Sequence, residues 1–227
     1  MPTIKRIICL ANSRKPSGRC IAGRELLDDQ PAGWIRPISA REHGEVSKRE
    51  REYQNGEDPH VLDVIDVPVL KAQPGTFQSE NWLLDPGDHW SKVSRLDVRD
   101  LGGYVDNEGP LWLNISSTKA GLHDEIPVDQ ANELTSSLTL VHVPAVRISV
   151  FSPGAAFGNP NRRVQARFKL GSDDYWLWVT DPTYERRYLA QDNGEYSLGP
   201  CYLTVSLGEP HKGYVYKLIA AIIEGTG

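Results

Sequence analysis

Apolar and polar positions alternate in short runs along most of this 227-residue chain, and Gly, Pro, Asn and Asp separate the runs. That is the pattern of short strands joined by shaped turns. Residues 4–10 read as a first strand, the polar stretch 11–18 as a hairpin loop, and 19–23 as the returning strand. After a turn at Pro31 and Gly33 comes a third strand, 34–39, in which Trp34, Arg36 and Ile38 share one face and Ile35 and Pro37 the other. Ser47 precedes Glu50 by three residues, the spacing of a helix N-cap, so 47–53 is expected to be a short surface helix. Residues 61–70 return to uneven strand-like alternation.

Residues 71–137 are less regular. A helix capped by Ser94 and stopped at Gly102 and Gly103 is expected there, and a second over 127–134 with Pro127 in its first turn. Beyond them the pattern is clean: one long strand at 138–151, then strands at 163–170 and 175–180. Asp181 is a good N-cap and Pro182 a good first helical residue for the helix that follows. Strands at 202–207 and 214–224 complete the chain, although Leu218 to Ile223 also suits a helix by propensity. Five strands with a helix between the third and fourth is the chain order of an OB-fold, a small Greek-key barrel.

The same order occurs twice. Glu50-Arg51-x-Tyr53 followed by Asn55-Gly56-Glu57 returns as Glu185-Arg186-x-Tyr188 followed by Asn193-Gly194-Glu195. A tryptophan-bearing strand precedes each copy, and before that a strand opening Arg-x-x-Ala, at Arg19 and at Arg163. Self-similarity of this kind points to a duplicated module. The expectation is a mainly β protein with two OB-like five-stranded Greek-key barrels in tandem, each with a short helix between strands three and four. Residues 1–137 would form the first, with long insertions, and 138–227 the second.

The strings CLANSRKPSGRCIAG (9–23), GWIRPIS (33–39), SVFSPGAAFGNP (149–160), LWVTDP (177–182) and LTVSLGEP (203–210) resemble the bacterial dual-OB-domain proteins over almost the whole chain. The resemblance implies two OB-like barrels and a role linked to nucleic acid. It brings no catalytic residue set.

Charge qualifies that role. The chain carries a net charge of -5, which argues against coating nucleic acid by electrostatics alone. Residues 1–41 nevertheless hold eight basic and three acidic side chains, leaving an acidic remainder. Barrels that bind single strands combine a basic groove with aromatics on which bases stack. The first copy offers Asn12, Arg14, Lys15, Arg19, Trp34 and Arg36, and the second Asn159, Asn161, Arg162, Arg163, Arg167, Tyr175 and Trp178. The charge count favours the first copy. Two plainer alternatives stand beside this: tryptophans on alternating strands often belong to the core, and residues 12–18 are either a phosphate-wrapping loop or an ordinary hairpin turn. Trp176 and Trp178 share one face and so are expected to share one fate.

Cys9, Cys20 and Cys201 are widely spaced, with no CxxC pair, which suggests neither a disulfide framework nor a zinc site. Six scattered histidines form no HExxH pattern, and no nucleophile–base pair stands out. Neither apolar run, 7–11 or 218–223, suits a signal peptide or a membrane span. The expectation is a cytoplasmic, non-catalytic protein without cofactor or metal. It would recognise single-stranded DNA or RNA, or a nucleotide-like anion. A protein adaptor in a bacterial defence or DNA-processing system is the alternative, and a nucleotide-acting enzyme a third.

Overall fold

The computed structural model describes residues 2–106 and 109–225. Contacts divide the chain into two units, one running to Tyr104 and including Thr135–Ser137, the other comprising Val105–Leu134 and the chain from Leu138 onward. Residues 105–134, counted with the first half in the sequence division, therefore belong to the second unit, whose core includes Leu111.

In the first unit, β1 (Thr3–Arg14), β2 (Arg19–Leu27) and β3 (Gln30–Ile38) form an antiparallel meander, followed by α1 (Lys48–Arg51), β4 (Asp63–Ala72) and β5 (Asn81–Leu84). β3 pairs with β5 in parallel, β5 with β4 antiparallel, and β4 returns to β1. The closed order β1-β2-β3-β5-β4 with α1 between the third and fourth strands is the OB arrangement. Closure depends on β1 serving two neighbours: residues from Thr3 to Ile8 pair with β4, and those from Ile7 to Arg14 with β2. A bulge between Cys9 and Ala11 bends it between the two roles. Gly23 faces this bend, where an added Cβ would fall 2.0 Å from the Ile8 carbonyl oxygen, so only glycine fits. Ile7, Cys9, Ile21, Ile35, Val67 and Trp90 meet inside.

β6 (Ser91–Arg95) extends the sheet beyond β4 and takes in Ser94, the residue expected to cap a helix. Ser94 is held in the ladder opposite Val64, and the chain turns only at Val98–Tyr104, a 3-10 helix. There Asp97 accepts the Arg99 backbone N–H at 2.9 Å.

The second unit opens with β7 (Glu125–Pro127) and α2 (Val128–Ala131), all that forms of the helix expected over 127–134. The barrel consists of β8 (Leu138–Val143), β9 (Val146–Phe151), β10 (Arg163–Leu170), β11 (Asp173–Val179), α3 (Pro182–Leu189), β12 (Gly194–Leu198), β13 (Cys201–Leu207) and β14 (Tyr214–Glu224). Its order is β12-β9-β10-β11-β14-β13-β8. β8 and β9 are the two halves of the single strand expected at 138–151, broken at Pro144, which has no N–H for a ladder. β8 pairs with β13 and β9 with β10, so the bent strand closes the barrel as β1 does. The parallel pair β11–β14 matches β3–β5. Leu218 to Ile223 lie in β14, paired with β13, so tertiary pairing overrides their helix propensity.

Asp181 caps α3 by accepting N–H groups of Thr183 and Tyr184, and its second oxygen accepts that of Ile222, tying the helix to β14. The two ERxY motifs acquire a shared physical meaning. Tyr53 and Tyr188 are both buried, each in the core of its own barrel.

Candidate functional site

Alternation along β9, β10 and β11 sends Val150, Ala166, Phe168 and Leu177 into the second core and leaves a polar and aromatic set on the outside. Register groups the outer side chains into cross-strand rows: Arg147, Arg167 and Trp176 in one, Ser149, Gln165 and Trp178 in the next, Phe151 and Arg163 in the last. Strands two and three of an OB barrel form its usual ligand face, and here they are β10 and β11.

The two tryptophans share this face but not the expected common fate. The Arg163 guanidinium lies 4.0 Å from the Trp178 ring centroid and Phe151 lies 5.7 Å away, leaving Trp178 8% exposed. Trp176 has Arg167 stacked at 4.5 Å and remains 38% exposed. A segment of the 105–134 insertion walls off part of the face. Ala120 accepts a hydrogen bond from Gln165 Nε2 at 2.6 Å, and the Leu122 backbone pairs with that of Trp176. Asp124 braces this segment by accepting from the Thr118 N–H at 2.7 Å and its hydroxyl at 2.6 Å.

What stays open is a cleft of about 440 Å³ at the Trp176 end, lined by Pro144, Arg147, Arg167, Lys169, Asp174 and Trp176. Arg167 is oriented by its stack on Trp176 and by donating Nε–H to Gln165 Oε1 at 3.0 Å. Glu195, from β12, accepts from Arg167 at 3.2 Å and from Arg147 at 3.4 Å. A partly exposed indole beside three cations suits a flat, anionic ligand.

A family described as the dual OB-containing domain matches residues 5–222. The chain belongs to this family. No curated protein and no solved structure matches it significantly. The dual-OB chain is thus an OB-fold binding protein of mainly β architecture. No helix among the described residues is long and apolar enough to cross a membrane, and these residues contain no group of three or more His, Cys, Asp or Glu side chains placed to hold a metal ion.

Of the residues singled out from the sequence in the second barrel, Arg163, Arg167 and Trp178 lie on the outer face as described. Arg162 instead serves the end of α3, donating to Asn193 Oδ1 at 2.7 Å, to the Leu189 carbonyl at 3.1 Å and to the Gln191 carbonyl. Asn159 accepts the Asn161 N–H at 3.1 Å and shapes its loop. Tyr175 is in the core, where its hydroxyl accepts from the Leu111 N–H and from Asn114, and burial raises its pKa.

In the first barrel of the dual-OB chain, the residues do not assemble into an open basic face. Arg36 is buried, 3.2 Å from buried Glu80, and donates to Ser137 Oγ at 2.8 Å. Asn12 donates to the Pro59 carbonyl at 2.7 Å, and Lys15 to the His43 carbonyl at 2.8 Å. The 12–18 loop, open to a phosphate-wrapping or an ordinary hairpin reading, turns its Ser17 N–H to Glu45 at 3.1 Å, which holds that carboxyl below its usual pKa. Arg19 joins Val46 through backbone bonds in both directions, opposite exposed Arg14, while Trp34 is buried with the Arg24 guanidinium 5.7 Å from its ring. The cations Arg147 and Lys169 and the open Trp176 were not among the binding candidates taken from the sequence. Only Trp176 carried a signal, its alternation with Trp178; Arg147 meets Arg167 through the β9–β10 register.

Proposed function

We propose that this chain binds single-stranded nucleic acid or a nucleotide through the Trp176 cleft of its second barrel. The observation that carries the reading is Trp176 itself, an exposed tryptophan on the β10–β11 face with Arg167 stacked on it and Arg147 in the same row. A base lies against the open part of the indole while phosphate meets Arg147, Arg167 and Lys169. Such a stack contributes roughly 1 to 3 kcal/mol. Arg163 extends the basic character toward the far end of the face; the first-barrel residues stand outside this proposal.

Fluorescence anisotropy with labelled oligothymidylate and oligouridylate at low salt tests it. Trp176→Ala is expected to weaken binding about tenfold to a hundredfold, and wild-type affinity to fall as salt rises. Absence of binding, or binding untouched by Trp176→Ala, refutes the reading.

Phe157 supports a protein-adaptor role as a second reading. It is 88% exposed on a turn braced by the Gly154 carbonyl, which accepts the Phe157 and Asn159 N–H groups at 2.9 and 3.0 Å. A hydrogen-bonded turn presenting an exposed aromatic ring suits protein contact. This reading expects a stable complex that Phe157→Ser disrupts, and falls if no partner co-purifies.

A further inference from the structure

Arg147 and Arg167 stand directly opposite each other on β9 and β10. Like charges in that position destabilise a sheet unless something neutralises them. Glu195 on the next strand supplies the neutralisation, one carboxylate oxygen accepting from each arginine, at 3.4 Å and 3.2 Å. The Ser149 hydroxyl donates to the same carboxylate at 3.4 Å. Two of the three contacts, at 3.4 Å, lie beyond the favoured hydrogen-bond distances and the third, at 3.2 Å, at their upper limit, and Arg147 and Glu195 are both exposed, so Glu195 is weakly held. Arg167, in contrast, is fixed from its other sides by Trp176 and Gln165. The result is a pair of guanidiniums oriented around one monovalent, displaceable anion.

We propose that Glu195 occupies the place of a terminal phosphate. On this assignment the cleft prefers a phosphorylated strand end or a mononucleotide to the interior of a strand. A phosphomonoester at neutral pH carries about 1.5 to 2 negative charges and three acceptor oxygens. An internal phosphodiester carries a single negative charge, so exchanging Glu195 for it swaps one monovalent anion for another. A terminal phosphate brings greater charge and a further acceptor to two forked donors, which favours displacement. The adjacent Trp176 then receives the base. This inference rests on the nucleotide-binding reading of the cleft and adds which phosphate the arginines select.

The test compares an internally labelled hexathymidylate bearing a 5′-phosphate, a 3′-phosphate or two hydroxyl ends, by anisotropy at fixed salt and neutral pH. A phosphorylated end is expected to bind about tenfold tighter, and the advantage to fade as pH falls through the second phosphate pKa near 6. Glu195→Gln removes the internal competitor, so it strengthens binding of the unphosphorylated strand and narrows the ratio. Arg147→Gln abolishes the ratio. Displacement by thymidine monophosphate as strong as by the phosphorylated hexamer assigns the clamp to a free nucleotide, and weaker displacement to a strand end; both uphold the terminal-phosphate preference. Equal binding of the three wild-type ligands, still weakened by Trp176→Ala, overturns the preference while leaving the cleft as a binding site. A ratio unchanged by Glu195→Gln overturns the role of that carboxylate. No binding of any ligand overturns both readings.

Discussion

Lys217 gives the second barrel a stability that rises with pH. Its side chain is fully buried on β14, with Nζ donating to the Leu113 carbonyl and to Asn114 Oδ1, each at 2.8 Å, and lying 5.5 Å from the Tyr175 ring centroid. Burial lowers its pKa from 10.5 to about 7, against the opposing pull of Asp124 and Asp173. Below pH 7 the amine is charged in both folded and unfolded chains and contributes no slope. Between about 7 and 10.5 the unfolded chain holds the proton and the folded chain does not, so stability increases with pH. Each pH unit well above the folded pKa is worth about 1.4 kcal/mol, and because the folded amine is half deprotonated at pH 7 the gain from pH 7 to 9 is about 2 kcal/mol. The window ends there because Cys201, buried in the same barrel and raised from 9.0 to about 11, stays protonated in the fold and lowers stability at higher pH.

Urea titrations of wild type and Lys217→Met at pH 7, 8 and 9 measure the effect. The difference between the two proteins is expected to move by about 2 kcal/mol in favour of wild type across that range. Parallel pH profiles refute the reasoning. Should the variant fail to fold, an NMR titration of the Lys217 side chain decides the matter, and a midpoint near 10.5 refutes the argument.

The two tryptophans of β11 should separate cleanly. Trp178→Ala removes a ring covered by Phe151 and Arg163 and is expected to lower stability by about 3 kcal/mol or more with little effect on oligonucleotide affinity, while Trp176→Ala does the reverse; a binding defect in Trp178→Ala without loss of stability would sink this division. Arg36→Ala leaves Glu80 buried without its cation and is expected to destabilise the first barrel by about 3 to 5 kcal/mol in urea titration. An unchanged midpoint would show that the buried pair does not hold the barrel together.

Most of the strand order was legible because a half-buried strand must alternate and a turn must contain residues that permit it. The repeated ERxY exposed the duplication, and the structure shows why those positions correspond: Tyr53 and Tyr188 each enter a core. The break at Pro144 was harder to read, since the apolar pattern runs through it on both sides while the strand changes partner from β13 to β10. Ser94 was misread because its local spacing suits a cap equally well, and only β4 lying beside it settles it as strand.

The site shows the same limit more sharply. Local sequence determined that Trp176 and Trp178 face the same way, because side chains alternate with period two. It did not determine which is open, since the covers arrive from Phe151 on β9 and Arg163 on β10. Counting charge over residues 1–41 pointed to the first barrel, yet Arg6 finds Asp66 and Arg36 finds Glu80, acids supplied by chain that follows. Periodicity and turn chemistry act between near neighbours in sequence and so determined the elements and the faces they present. Burial and ion pairing act between residues that only the fold brings together, and they decided which cations and which aromatic ring remain for a ligand.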